Sequence, residues 1–254
     1  MARRALLALA MAWAAAVAQA EPPALLLVGD STMATRTGYG DALCQRLKPG
    51  LACLNLARGG RSTLSYRAEG LWDRALEQLR NSPPGVQAHV LIQFGHNDQP
   101  GKPGRSTNLA TEFGPNLARY VAEVRAAGGV PVLVTPLSRR VFRQGRLQDD
   151  LAPWAQATRA VAQASGADLI DLHAASSAAL QALGEHEADL LAMAPPPREG
   201  QAPDRAFDHT HLGARGACVF AELMLRALAR QVAALRDAFV PGRACSEIAP
   251  PQPG

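Results

Sequence analysis

Four short clusters in this chain hold the side chains that acyl transfer requires. Gly29-Asp30-Ser31-Thr32 offers a hydroxyl, Gly59-Gly60-Arg61-Ser62 a closely approachable backbone, and Gly95-His96-Asn97-Asp98 a side-chain amide. Asp208-His209-Thr210-His211 sets a carboxylate three residues before an imidazole. That spacing lets Asp208 receive the His211 Nδ1–H while Nε2 faces outward, which fixes the tautomer and stabilises the imidazolium. Ser31 is the candidate nucleophile; alternatively Asp30 or Ser31 only caps a following helix. The N–H groups of Ser31 and Gly60 and the amide of Asn97 are candidate donors to an oxyanion. Taken singly, Gly60 also fits a tight turn and Asn97 an Asx turn. His209 and His211 make a weak metal pair, because they point to opposite sides of an extended segment and no third ligand stands nearby in sequence. No metal or cofactor is therefore assigned. Together the clusters supply a nucleophile, its base, the base's orienting carboxylate and the donors for a tetrahedral oxyanion.

The elements that must position these clusters alternate between two kinds. Apolar runs at 25–29, 51–57, 89–94, 130–135 and 167–172 read as strands. Helical patterns fill 39–47, 64–79, 112–127, 154–165, 174–183 and 213–239. Strands apolar throughout belong to parallel sheets covered on both faces, and their alternation with helices marks βαβ units. The expected fold is therefore α/β, a three-layer α/β/α domain of the flavodoxin-like kind with a parallel five-stranded sheet. Ligands in such sheets sit outside the carboxyl ends of the strands, where the first three clusters fall.

Composition narrows the class further. With 254 residues, 48% hydrophobic and 19% charged, the chain is neither disordered nor a disulfide framework. A domain of this size buries roughly three quarters of its unfolded surface. The start reads as a secretory signal peptide over 1–20: Arg3-Arg4, an apolar run without charges, then Ala18-Gln19-Ala20. The apolar run is shorter than the ~20 residues a membrane span needs. The expected organisation is then a leader at 1–20, a catalytic domain at 21–241 and a proline-rich tail at 242–254. Removing the leader takes the net charge from +4 to +2, because 24 basic residues then face 22 acidic ones. A nucleic-acid partner loses its support with it. The expected location is periplasmic or extracellular, with no stable membrane insertion after cleavage. Four cysteines permit three pairings; nearness in sequence favours Cys44–Cys53 and Cys218–Cys245, and an oxidising compartment favours at least one bridge.

Gly29-Asp30-Ser31, Gly60, Gly95-x-Asn97 and Asp208-x-x-His211 resemble the four blocks of the SGNH (GDSL-type) hydrolases. Gly-Asp-Ser-Thr, Gly59-Gly60-Arg61-Ser62-Thr63 with Ser65-Tyr66, Gln93-Phe94-Gly95-His96-Asn97-Asp98 and Asp208-x-Thr210-His211 are similar to one branch in particular. That branch is the rhamnogalacturonan acetylesterase-like enzymes of carbohydrate esterase family 12. The resemblance implies Ser31 as nucleophile, Asp208 and His211 as the rest of the triad, and Ser31, Gly60 and Asn97 as the oxyanion hole. It implies metal-free hydrolysis of O-acetyl esters on a polysaccharide, a pectic rhamnogalacturonan-like one. Two stretches depart from the family's pattern: a short segment over 32–39 and a proline-rich one over 194–205. A lipid- or thioester-cleaving SGNH acyl hydrolase is the alternative, and a non-catalytic carbohydrate-binding protein on the same fold a third reading. An acyl pocket would be lined by apolar residues, whereas the loops here carry Arg36, Tyr39, Arg61, Ser65, Arg139 and Arg140. Trp72 and Trp154 are among the few aromatics available for stacking on a sugar.

Overall fold

A computed structural model describes residues 23–194, 206–242 and 244–248. The leader expected at 1–20, the proline-rich stretch after 194 and the end of the tail lie outside the described residues. Five strands make one parallel sheet: β1 (Pro23–Gly29), β2 (Cys53–Asn55), β3 (Gln87–Gln93), β4 (Val130–Val134) and β7 (Asp168–Ile170), in the order β2-β1-β3-β4-β7. Helices α1 (Gly40–Cys44), α6 (Leu172–Asp189) and α7 (Ala214–Gln231) cover one face. Helices α3 (Leu71–Arg80), α4 (Gly114–Ala126) and α5 (Ala152–Ser165) cover the other.

Two-sided burial explains the continuous apolar strands. Successive side chains point to opposite faces, so Leu25 and Leu27 enter the core under α1 and α7, while Leu26 and Val28 enter the core under α3 and α4. Leu25 and Leu27 are completely buried, and truncating either to Ala would cost about 2–5 kcal/mol. β1 and β3 pair along seven residues, which brings Gly29 level with Gln93. The loops after these strands therefore leave the sheet side by side.

Several boundaries differ from expectation. The pattern over 64–79 is two helices, α2 (Ser65–Ala68) and α3, because Gly70 adopts a left-handed conformation (φ 68°) between them. The pattern over 112–127 begins in a π-helical turn, Leu109–Phe113, whose Asn108 side chain accepts the N–H groups of Ala110 and Thr111. The pattern over 174–183 runs on to Asp189 across a kink at Gly184. The long pattern over 213–239 ends as a helix at Gln231. No helix follows Ser31 directly: residues 31–37 form turns, and α1 starts only at Gly40. A small antiparallel hairpin, β5 (Phe142–Arg143) with β6 (Arg146–Leu147), was not expected at all.

Both short-range disulfides form. Cys44–Cys53 joins the end of α1 to the start of β2, and Cys218–Cys245 joins α7 to the turn near the C-terminus. Bridges of this kind typically contribute about 2–4 kcal/mol by restricting the unfolded chain. Among the described residues, no helix is long and apolar enough to cross a membrane.

Candidate active site

Ser31 heads the turn that leaves β1, in which Asp30 O accepts the N–H groups of Met33 and Ala34. The turn is compact because Gly38 lies against it; a Cβ there would stand 2.2 Å from the Thr32 carbonyl. Behind Ser31 runs a buried chain of hydrogen bonds. The Tyr39 hydroxyl donates to Gln93 Oε1 (2.6 Å), Gln93 Nε2 to Thr32 Oγ1 (2.7 Å), and Thr32 Oγ1 to Asp30 Oδ1 (2.7 Å). Burial pushes the Asp30 carboxyl up, but His96 and the Thr32 N–H and hydroxyl outweigh it and hold it below its usual range. The His96 ring is buried with Nδ1 3.4 Å from Asp30 Oδ2, close but without an aligned hydrogen bond.

The segment 208–211 folds around one carboxylate. Asp208 Oδ1 accepts the N–H groups of Thr210 (2.9 Å) and His211 (3.0 Å), while Oδ2 pairs with His211 Nδ1 at 2.7 Å. Burial raises the Asp208 pKa, but these bonds from His211 and Thr210 prevail and lower it, so it is a carboxylate at neutral pH. His209 turns elsewhere, with Nδ1 3.5 Å from Asp189 and its ring edge-on to Phe207. Among the described residues, no cluster of three His, Cys, Asp or Glu could hold a metal ion. One hydrogen bond joins the residue after this segment to the Ser31 turn, and a second braces that turn. Thr37 Oγ1 donates to the Ser31 carbonyl (2.7 Å), and the Thr37 carbonyl accepts the Leu212 N–H (2.9 Å). The backbone after His211 thus lies against the turn that carries Ser31.

Gly60 and Asn97 arrive from the neighbouring loops. A Cβ on Gly59 would stand 3.7 Å from the Ser31 Cβ, which places that loop beside the hydroxyl. Gly60 takes φ 78°, a conformation that favours glycine. Among the described residues, neither the Ser31 N–H nor the Gly60 N–H has a hydrogen-bond acceptor. Asn97 Nδ2 donates to the Arg61 carbonyl (3.0 Å), which fixes the amide's orientation and leaves its second N–H for another acceptor. Asp98 sits between the loops and accepts from Thr63 and from the Thr107 hydroxyl (3.0 Å). Burial, opposed by those bonds, raises its pKa to about 6.

Three residues expected to line a polar pocket are instead buried structure. Tyr39 is spent on Gln93, Ser65 on the Ser62 N–H (3.0 Å), and Arg140 is wholly enclosed. Arg139 is held by Asp150 and Thr210, and Arg61 by Glu69 and the Gly59 carbonyl, so the exposed Arg36 is the more available cation among these residues. Trp72 and Trp154 are also buried and offer no stacking face. Sequence reasoning missed the roles of Gln93, Thr37 and Arg140. Gln93 ends an apolar strand, and a glutamine there needs a buried partner, which was the one available signal.

The GDSL-like Lipase/Acylhydrolase family model matches residues 27–219. The chain is 32% identical over 229 residues to the rhamnogalacturonan acetylesterase RhgT of Bacillus subtilis, covering 87% of this chain and 95% of that one. It is 27% identical over 236 residues to a rhamnogalacturonan acetylesterase of Emericella nidulans, covering 84% of this chain and 87% of that one. Among solved structures, an acetylxylan esterase from Geobacillus stearothermophilus superposes with TM-score 0.58 at 21% identity, covering 83% of this chain and 96% of that one. At that identity the likeness speaks for the fold alone. The α/β sheet order, the edge-of-sheet site and the family match agree, and the chain belongs to the GDSL-like lipase/acylhydrolase family, the SGNH hydrolases, as a carboxylic ester hydrolase.

Proposed function

We propose that this protein is an exported esterase that removes O-acetyl groups from a pectic, rhamnogalacturonan-like polysaccharide, with Ser31, His211 and Asp208 as its triad. The observation that carries the reading is the pair of hydrogen bonds through Thr37, from the Ser31 carbonyl to the residue after His211. They bring the turn that carries Ser31 against the residue after His211, although the two lie about 180 residues apart in sequence, and this supports pairing them as nucleophile and base. The named activity of the Bacillus and Emericella relatives supports the substrate class. The two disulfides support export, since such bridges persist in oxidising compartments.

In this mechanism Ser31 Oγ attacks the acetyl carbonyl carbon while His211 Nε2 takes the hydroxyl proton. The carbonyl oxygen becomes an oxyanion, received by the Ser31 and Gly60 N–H groups and the free N–H of Asn97. Collapse breaks the ester C–O bond, and the departing sugar oxygen takes the proton from His211. Water then gives a proton to His211 and attacks the acetyl-serine. Acetate leaves as the proton returns to Ser31. Asp208 holds His211 in the required tautomer throughout. The steps of this reaction use no metal.

The test is a comparison of purified enzyme on acetylated rhamnogalacturonan, acetylated xylan and long-chain acyl esters. Acetate release with the highest kcat/KM on the pectic substrate is expected. Preference for long acyl chains would replace the reading with that of a lipid-type acyl hydrolase.

A further inference from the structure

Arg140 is fully buried, yet its partners among the described residues are carbonyl oxygens rather than carboxylates. Its Nη2 donates to the carbonyls of Asp208 (2.7 Å) and His211 (2.9 Å), and Nη1 to that of Thr210 at 3.4 Å. Its own backbone N–H donates to the carbonyl of His209 (2.9 Å). One residue thus serves the four consecutive carbonyls from Asp208 to His211. Burial lowers its pKa to about 10, so it is a cation at neutral pH.

We propose that Arg140 is a positioning residue for catalysis, clamping the backbone of the 208–211 segment so that His211 is held towards Ser31. The inference rests on the triad reading given above. Four carbonyls gathered on one side of a non-helical segment need a donor each, because an unmet buried carbonyl is costly. The N–H groups of Thr210 and His211 are correspondingly free to reach Asp208 Oδ1, and Oδ2 is left for the imidazole. The segment is therefore gripped twice, by a guanidinium through its carbonyls and by Asp208 through its amides. The planar fork of an arginine can span diverging acceptors, and the point charge of a lysine cannot. A misplacement of about 1 Å at a catalytic base costs on the order of 10²-fold in rate.

The experiment measures kcat and KM of Arg140→Lys on p-nitrophenyl acetate, with Ser31→Ala and His211→Ala in parallel and Tm recorded for each. The expected result is a folded Arg140→Lys enzyme with kcat lowered about 10- to 100-fold and KM within about threefold of the parent. A folded Arg140→Lys with kcat within twofold of the parent overturns the clamp, as does a loss carried entirely by KM. Turnover retained in Ser31→Ala or His211→Ala overturns the triad instead, so the two failures are distinguishable. Should Arg140→Lys not fold, the parent protein labelled with 15N-arginine decides. Slowly exchanging Arg140 Nη protons support the clamp, and protons exchanging at the solvent-exposed rate overturn it.

Discussion

The Asp98 carboxylate accepts both the backbone N–H of Thr63, at 3.1 Å, and its hydroxyl, at 2.5 Å. Thr63 lies three residues beyond Gly60, and Asp98 directly follows Asn97. This one contact therefore sets the spacing between the two loops that carry the proposed oxyanion donors. A second tie runs the other way, from the Asn97 amide to the Arg61 carbonyl. The two loops are thus tied at two neighbouring points, Thr63 to Asp98 and Asn97 to Arg61.

Asp98→Asn should separate catalysis from stability. The amide keeps one acceptor oxygen and puts an NH2 where Oδ2 takes a second, longer bond from the Thr63 N–H (3.3 Å), so the Thr63 contact loosens and kcat falls by roughly 10-fold, a fraction of the loss from deleting a donor outright. The stability effect has a distinct pH signature. The native pKa of Asp98 is raised from 3.8 to about 6, so the native state binds the extra proton. That stabilisation is full below pH 3.8 and is lost as pH rises through about 6. The Tm of the parent relative to Asp98→Asn should therefore decline between about pH 4 and 6. A constant difference across that window, measured by thermal denaturation, would show that burial does not hold a proton on Asp98.

Asn97→Ala removes a donor from the proposed hole without touching nucleophile or base. Deleting one such donor typically lowers kcat by ~10²-fold, a cost of about 3 kcal/mol in the transition state. KM on a small acetyl ester should change little, because the charge is present only in the transition state. Steady-state kinetics on p-nitrophenyl acetate read both numbers. An unchanged kcat would take Asn97 out of the hole and leave the Arg61 contact as its whole purpose.

The central strands were legible because both faces of the sheet are buried. Leu25 to Val28 alternate between two cores, so no polar residue interrupts them. The hairpin at 142–147 left no such trace, since two-residue strands show no period and Gly145 is its main cue. The break at Gly70 was hidden for a related reason: a lone glycine in a helical pattern does not say whether it bends, ends or merely weakens the helix. The clusters around Ser31, Gly60, Asn97 and Asp208 stood out as candidates because few other chemistries need those types in that order. Arg140 was read as a pocket-lining cation because charged residues are seldom fully buried. Its partners are backbone carbonyls, which every residue carries, so no side-chain pattern could announce them.

Glu123 offers a test of stability far from the site. Its carboxylate pairs with both Nη atoms of Arg67 (2.9 and 2.8 Å), with Arg119 Nε (2.8 Å) and with the indole N–H of Trp72. Arg67 in turn lies 5.0 Å from the centroid of the Tyr120 ring. Partial burial works to raise the Glu123 pKa, but the Arg67, Trp72 and Arg119 bonds prevail and bring it from 4.5 down to about 2. A depressed native pKa means stability that is present above pH 4.5 and lost as pH falls towards 2. Glu123→Gln keeps the shape and removes the charge. Charged hydrogen bonds contribute about 1.5–3 kcal/mol, so the variant's Tm at pH 7 should fall by roughly 5 °C. The difference from the parent should shrink as pH drops from about 4.5 to 2. Activity on p-nitrophenyl acetate at 25 °C should stay near the parent's, since the cluster sits on α2, α3 and α4 and includes none of Ser31, Gly60, Asn97, Asp208 and His211. An equal Tm at pH 7 would mean that solvent screens the cluster completely.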